Sequence, residues 1–147
     1  MRTFKSVGDV MDFAIAREID AHVFYLKLAE RVTSPDLRET VRDFAMDEFQ
    51  HRIRLQAIKV GEIAFLDDEV GSLDIANRIP EIRPHPDMTY KELLILAMNR
   101  EKAAFRIYTN LASIARTEDC RNTLLCLAQE EARHKLRLEI EYDLATF

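Results

Sequence analysis

A chain of 147 residues, 48% apolar and 32% charged with only three Gly and four Pro, is long enough to bury one core without staples. That composition favours long helices over a loop-rich or all-β fold. The formal charge of −5, with no basic stretch to neutralise phosphates, argues against a nucleic-acid partner. No apolar run reaches the length of a membrane span, and the N-terminus lacks the charged, apolar, small-residue order of a signal peptide. No membrane association and a cytoplasmic location are therefore expected.

Turn signals predict four helices in chain order. The first runs from about Val7 to Val32 and is stopped by Thr33-Ser34-Pro35-Asp36. There Ser34 has the form of an N-cap and Pro35 that of a first helical residue, so the second helix starts at once. It fades near Lys59, before Gly61. Residues from about Gly61 to Met88 hold two of the three glycines and all remaining prolines, so they read as an irregular crossover. Thr89-Tyr90-Lys91-Glu92 has the pattern of a capping box and opens the third helix. A short break near Arg116 and Thr117 leads into the fourth, which runs almost to the C-terminus. Short connections make each helix pair an antiparallel hairpin, and the long crossover joins the two. The reading is one domain over residues 1–147, all-α: a hairpin over 6–60, a crossover over 61–88 and a second hairpin over 89–145.

The hairpins repeat one another. Ala14–Leu55 aligns with Ala97–Leu138 at an offset of 83, pairing Glu18 with Glu101, Tyr25 with Tyr108, Leu28 with Leu111, Glu48 with Glu131, His51 with His134 and Leu55 with Leu138. A bundle with a pseudo-two-fold axis follows.

Alternating steps of three and four residues draw a core stripe along each helix. The first reads Val7, Met11, Ala14, Glu18, Ala21, Tyr25, Leu28 and Val32. The second reads Leu37, Val41, Phe44, Glu48, His51, Leu55 and Ile58. The third reads Leu94, Ala97, Glu101, Ala104, Tyr108 and Leu111, and the fourth Cys120, Leu124, Leu127, Glu131, His134 and Leu138. Each stripe is apolar except at its centre, where a glutamate stands in all four. Glu18 lies fifteen residues before Thr33 and Glu48 fourteen after Ser34; Glu101 and Glu131 keep the same spacing from Arg116 and Thr117. Each hairpin thus sets its two glutamates at one height, roughly 20 Å from its turn. His51 and His134, three residues after Glu48 and Glu131, share their faces.

Carboxylates gathered in an apolar interior repel one another and lose hydration, so this arrangement calls for cations. Two divalent ions match four carboxylates. Oxygen plus imidazole suits iron or manganese and also accepts zinc, whereas calcium rarely takes histidine. A site of this kind leaves open positions for oxygen or peroxide.

The set Glu18, Glu48-Phe49-Gln50-His51, Glu101 and Glu131-Ala132-Arg133-His134 resembles the ferritin-like di-iron carboxylate proteins, and among them the rubrerythrin branch, over nearly the whole chain. The resemblance implies an antiparallel four-helix bundle of the ferritin-like type holding two iron ions. It implies Glu18 and Glu101 as terminal ligands, Glu48 and Glu131 as bridges, and His51 and His134 as one nitrogen ligand per ion. Tyr25 and Tyr108, seven residues after the terminal glutamates, resemble the tyrosines that hydrogen-bond ligand carboxylates in this family. Rubrerythrin itself carries a further glutamate three residues after the third-helix ligand. Here Ala104 stands there, with Ala21 as its repeat mate, which counts against efficient peroxide reduction. With no rubredoxin domain, electrons come from an external donor protein. With no fifth helix, a storage cage is not expected, and a homodimer is.

His22, four residues after Glu18, is within reach of the site, although its repeat mate is Phe105. His85, between two prolines, reads as an exposed loop residue, and Arg17 and Arg100 as partners of helix-surface ion pairs. Cys120 and Cys126 form no Cys-x-x-Cys pair and lie too far apart on a helix for a disulfide. The run Leu93–Met98 is broader than one stripe, so part of it is a candidate subunit interface. Three functions stay open. One is a redox enzyme reducing hydrogen peroxide or oxygen. The second is a ferroxidase or iron-handling protein, and the third a bundle that a metal merely holds together. Hydroxylation of an organic substrate has no support in the residues.

Overall fold

A computed structural model describes residues 6–60 and 85–146. The crossover expected over 61–88 falls, as far as residue 84, outside the described residues. Four helices follow in order: α1 over Val7–Arg31, α2 over Pro35–Val60, α3 over Tyr90–Ser113 and α4 over Glu118–Thr146. Each helix starts within a residue of its turn signal, while α3 ends at Ser113, three residues before the break expected at Arg116. The described chain falls into two compact units, one built on α1 and α2 and the other on α3 and α4.

The helix starts are set by side chains that replace missing backbone partners. Ser6 Oγ accepts the Asp9 amide at 3.1 Å and begins α1. Ser34 Oγ accepts the Leu37 amide at 3.4 Å, with Pro35 behind it, and begins α2. At α3 both halves of the capping box are made. Thr89 Oγ1 accepts the Glu92 amide at 3.1 Å, and the Glu92 carboxylate accepts the Thr89 amide at 3.3 Å. Thr117 Oγ1 accepts the Cys120 amide at 3.1 Å and begins α4.

The repeat extends into the turns. Arg38 donates from Nη2 to the Val32 carbonyl at 3.0 Å, and Arg121, its mate, donates to the Ala115 carbonyl at 3.4 Å. Both carbonyls stand just beyond a helix end, where no intrahelical donor reaches them. One device therefore closes both hairpins.

The stripes become the core. Along α1, Val7, Met11, Ala14, Glu18, Tyr25 and Leu28 are buried, and Val32 follows at its cap; Ala21 is half-buried. Along α2, Val41, Phe44, Glu48, His51 and Leu55 are buried, with Leu37 and Ile58 half-covered at the ends. The predicted positions of α3 and α4 are all buried. The α3 run is taken inward as well. Leu93, Leu94, Leu96 and Ala97 are buried, and Ile95 alone of the run is exposed, which leaves little of it for a subunit interface. Cys120 is a buried free thiol and Cys126 an exposed one. No helix among the described residues is long and apolar enough to cross a membrane.

Candidate metal centre

In the first hairpin α1 supplies Glu18, and α2 supplies Glu48 and His51 from neighbouring turns of one face. His51 Nδ1 lies 3.6 Å from Glu18 Oε2 and 3.5 Å from Glu48 Oε1. One donor atom from each of the three lies within 4.8 Å of the others. The side chains are almost sealed, at 2%, 2% and 1% exposure for Glu18, Glu48 and His51.

The second hairpin builds the same triad from Glu101 on α3 and Glu131 and His134 on α4. His134 Nδ1 lies 3.6 Å from Glu101 Oε2, and the three donors again fall within 4.8 Å of one another. All six residues singled out by their place on the stripes are thus buried, three in each hairpin.

These distances suit a shared cation. Two donors bound to one first-row divalent ion at about 2.1 Å stand no more than about 4.2 Å apart. The separations of 3.5 and 3.6 Å lie inside that limit, and they exceed an ordinary hydrogen bond. Each triad carries two carboxylates for one imidazole, so a divalent ion supplies the charge that the triad's own basic group does not. Oxygen and imidazole donors without thiolate fit iron, manganese or zinc.

The surroundings of the triads are dry. Ala14 and Tyr25 flank Glu18 along α1, and Phe44 and Leu55 flank the α2 pair; Ala97, Tyr108, Leu127 and Leu138 are their buried counterparts. Tyr25 and Tyr108 are each 1% exposed, but their neighbours differ. The Tyr25 ring meets Phe24 and Phe44 edge-on, with centroids 5.5 and 5.6 Å away, where the second hairpin has the aliphatic Ile107 and Leu127.

His22 is not drawn to the triad. Its Nδ1 lies 2.7 Å from the Ala45 carbonyl of α2, and its ring packs against Phe49 at 5.7 Å. It acts as a brace between α1 and α2. The sequence held one sign of this, the apolar mate Phe105, which marks the position as one the repeated site does without. Arg17 sits over the Phe13 ring at 5.6 Å, and His85 is exposed.

Comparison with known proteins bears on both fold and site. The family model described as Rubrerythrin matches residues 9–86 and 92–143. A crystal structure from Thermotoga maritima, of a protein provisionally assigned as a ferritin-like di-iron carboxylate protein, superposes with a TM-score of 0.77. It covers 97% of this chain and 98% of its own at 22% identity. The architecture is accordingly that of a ferritin-like helical bundle. No curated protein matches the chain.

Proposed function

The chain belongs to the rubrerythrin family of ferritin-like di-iron carboxylate proteins, and on that premise we propose that it is a redox enzyme reducing hydrogen peroxide or oxygen with electrons from an external donor protein. The observation that carries this reading is the doubled triad: two sealed sets of two carboxylates and one imidazole, repeated at the same height in each hairpin. In this reading Glu18 and Glu101 would serve as terminal ligands, Glu48 and Glu131 as bridging ligands, and His51 and His134 would give one nitrogen each. Iron held by these residues would supply redox chemistry, two electrons that with two protons from solvent would take hydrogen peroxide to two waters.

The protein's own contribution is positioning and exclusion. Packed helices hold the carboxylates near one another before metal arrives, so little is reorganised on binding. Apolar neighbours keep bulk water off the donors, which strengthens each charge interaction. In this reading the buried Tyr25 and Tyr108, seven residues after Glu18 and Glu101 on the same stripes, would hydrogen-bond ligand carboxylates and steady their orientation. An external reductant would recharge the centre after each turnover.

A ferroxidase role is the second reading. It is favoured by Ala104, a small residue where a further glutamate stands in rubrerythrin itself. To separate the two, the apoprotein is loaded anaerobically with two Fe(II) per chain and oxidised by peroxide or oxygen in parallel. Faster oxidation by peroxide is the expected result. Faster oxidation by oxygen, with many Fe(II) consumed per chain, would move the ferroxidase to the front. Failure to bind iron would leave a metal that only fastens the hairpin helices.

A further inference from the structure

The internal repeat gives each hairpin a control in the other, and the two triads agree in their donors. Each takes one glutamate from its first helix, and a glutamate and a histidine three residues apart from its second. Each histidine Nδ1 lies 3.6 Å from the first-helix carboxylate. The seam beside the donors differs. In the first hairpin His22 Nδ1 lies 2.7 Å from the Ala45 carbonyl, and the His22 ring packs on Phe49 with centroids 5.7 Å apart. The Arg52 guanidinium carbon lies 4.7 Å from the centroid of the same Phe49 ring. The repeat mates of His22, Ala45, Phe49 and Arg52 are Phe105, Ala128, Ala132 and Lys135. Phe105 has no group that could donate to a carbonyl, and it stands 40% exposed. Ala132 offers no ring, and Lys135 pairs with Glu139 on its own helix.

This brace sits beside the ligands. His22 is four residues beyond Glu18 on α1, and Ala45 is three residues before Glu48 on α2. The helices run antiparallel, so both steps lead towards the hairpin turn, by about 6 and about 4.5 Å. Phe49 and Arg52 directly follow the two α2 donors, Glu48 and His51. A carbonyl only accepts, so Nδ1 carries the proton in this contact, and it meets the lone pair that a helical carbonyl keeps beside its backbone bond. A hydrogen bond weakens off its axis, whereas apolar contact has no direction and fixes no register. Glu18 depends on that register, since a cation accepts donors only within a few tenths of an ångström of its preferred distance.

We propose, resting on the metal reading of the triads, that His22 is a positioning residue of the first triad: its bond to the Ala45 carbonyl holds Glu18 against Glu48 and His51 and makes this triad the tighter of the two metal sites. His22 acts through the helices and not as a ligand, since its Nδ1 is committed to the neighbouring backbone. Donors fixed before a cation arrives lose less freedom when it binds, and that saving appears as affinity. The second triad has the same donors but Phe105 in place of His22, so Glu101 is set against Glu131 and His134 only as the cation binds. Partners that orient metal ligands in this way are worth roughly tenfold or more in affinity.

The test titrates the full-length apoprotein with Co(II), whose visible absorption bands report the ligands around it. The wild type is expected to take up two ions in two steps of unequal affinity. His134→Ala should keep the tighter step and His51→Ala should lose it, which assigns that step to the first hairpin. His22→Phe, which installs the residue of the second hairpin, should weaken the tighter step roughly tenfold and leave the weaker one in place. His22→Asn, whose amide nitrogen stands near the position of Nδ1, should recover most of the loss, which a merely space-filling role would not allow. Two equal steps in the wild type, equal weakening of both by His22→Phe, or an Asn variant no better than Phe would overturn the proposal and leave the metal reading standing. A wild type that binds no Co(II) would overturn both.

Discussion

Glu48 and Glu131, one in each buried triad, are the residues that test the metal reading most directly. Glu48→Ala combined with Glu131→Ala is expected to abolish binding of both metals, measured as metal per chain after reconstitution. The same change removes two buried carboxylates from an apolar interior. Without metal, the double variant should accordingly melt no lower than wild-type apoprotein. If it still bound two ions per chain, the ligand assignment would be wrong. Two other side chains report their surroundings by titration. Burial, with the Glu141 carboxylate adding to it, pushes the Tyr90 phenol above its ordinary value of 10.0. The folded chain then favours the neutral phenol. The stability linked to this group is present below pH 10 and is lost as the pH rises through the folded value, since only the unfolded chain ionises freely. Tyr90→Phe should flatten the decline in melting temperature above pH 10 and leave it unchanged at neutrality. Burial likewise raises the Cys120 thiol, whereas Cys126 is exposed. An aromatic disulfide reagent should label Cys126 in the native chain and Cys120 only after denaturation.

At the scale of helices, the repeated turn device carries a prediction of its own. Arg38 and Arg121 each donate to a carbonyl one or two residues beyond a helix end, at 3.0 and 3.4 Å. Arg38→Ala should cost about 1 kcal/mol in denaturant unfolding, and Arg121→Ala less, since its bond is longer. Equal loss of more than twice that figure would show that these arginines do more than close turns. These helices were readable because their signals are local. A Ser or Thr with a donor amide three residues on, a proline at a first helical position and a Thr-x-x-Glu box act over a few residues, whatever the rest of the chain does. The crossing of His22 to the Ala45 carbonyl was not readable in this way. It joins residues 23 apart in the chain, and a lone half-buried histidine carries no periodic mark.

For the whole molecule, metal binding at the triads would be linked to folding. A ligand bound only by the folded chain adds about 2.7 kcal/mol when its free concentration is one hundred times its dissociation constant. Chelation should therefore lower the melting temperature by several degrees, and restoring iron should recover it. An unchanged melting temperature would mean that the triads bind metal weakly or not at all. The sequence by itself determined the four helices, their pairing into two like hairpins and the six buried donors, because each is a periodic or repeated pattern. Stripes of 3.6-residue period must be buried, and charges at their centres can be retained only with counter-charges. Tertiary structure decided what lies across the stripes. It took the broad α3 run inward, leaving Ile95 at the surface. It turned His22 to a backbone carbonyl of the neighbouring helix, and it left Ile19, Val23, Leu26, Met46 and Ile53 outside. Which side of an amphipathic helix is covered depends on the helix beside it, and a periodic pattern names the face without naming its neighbour.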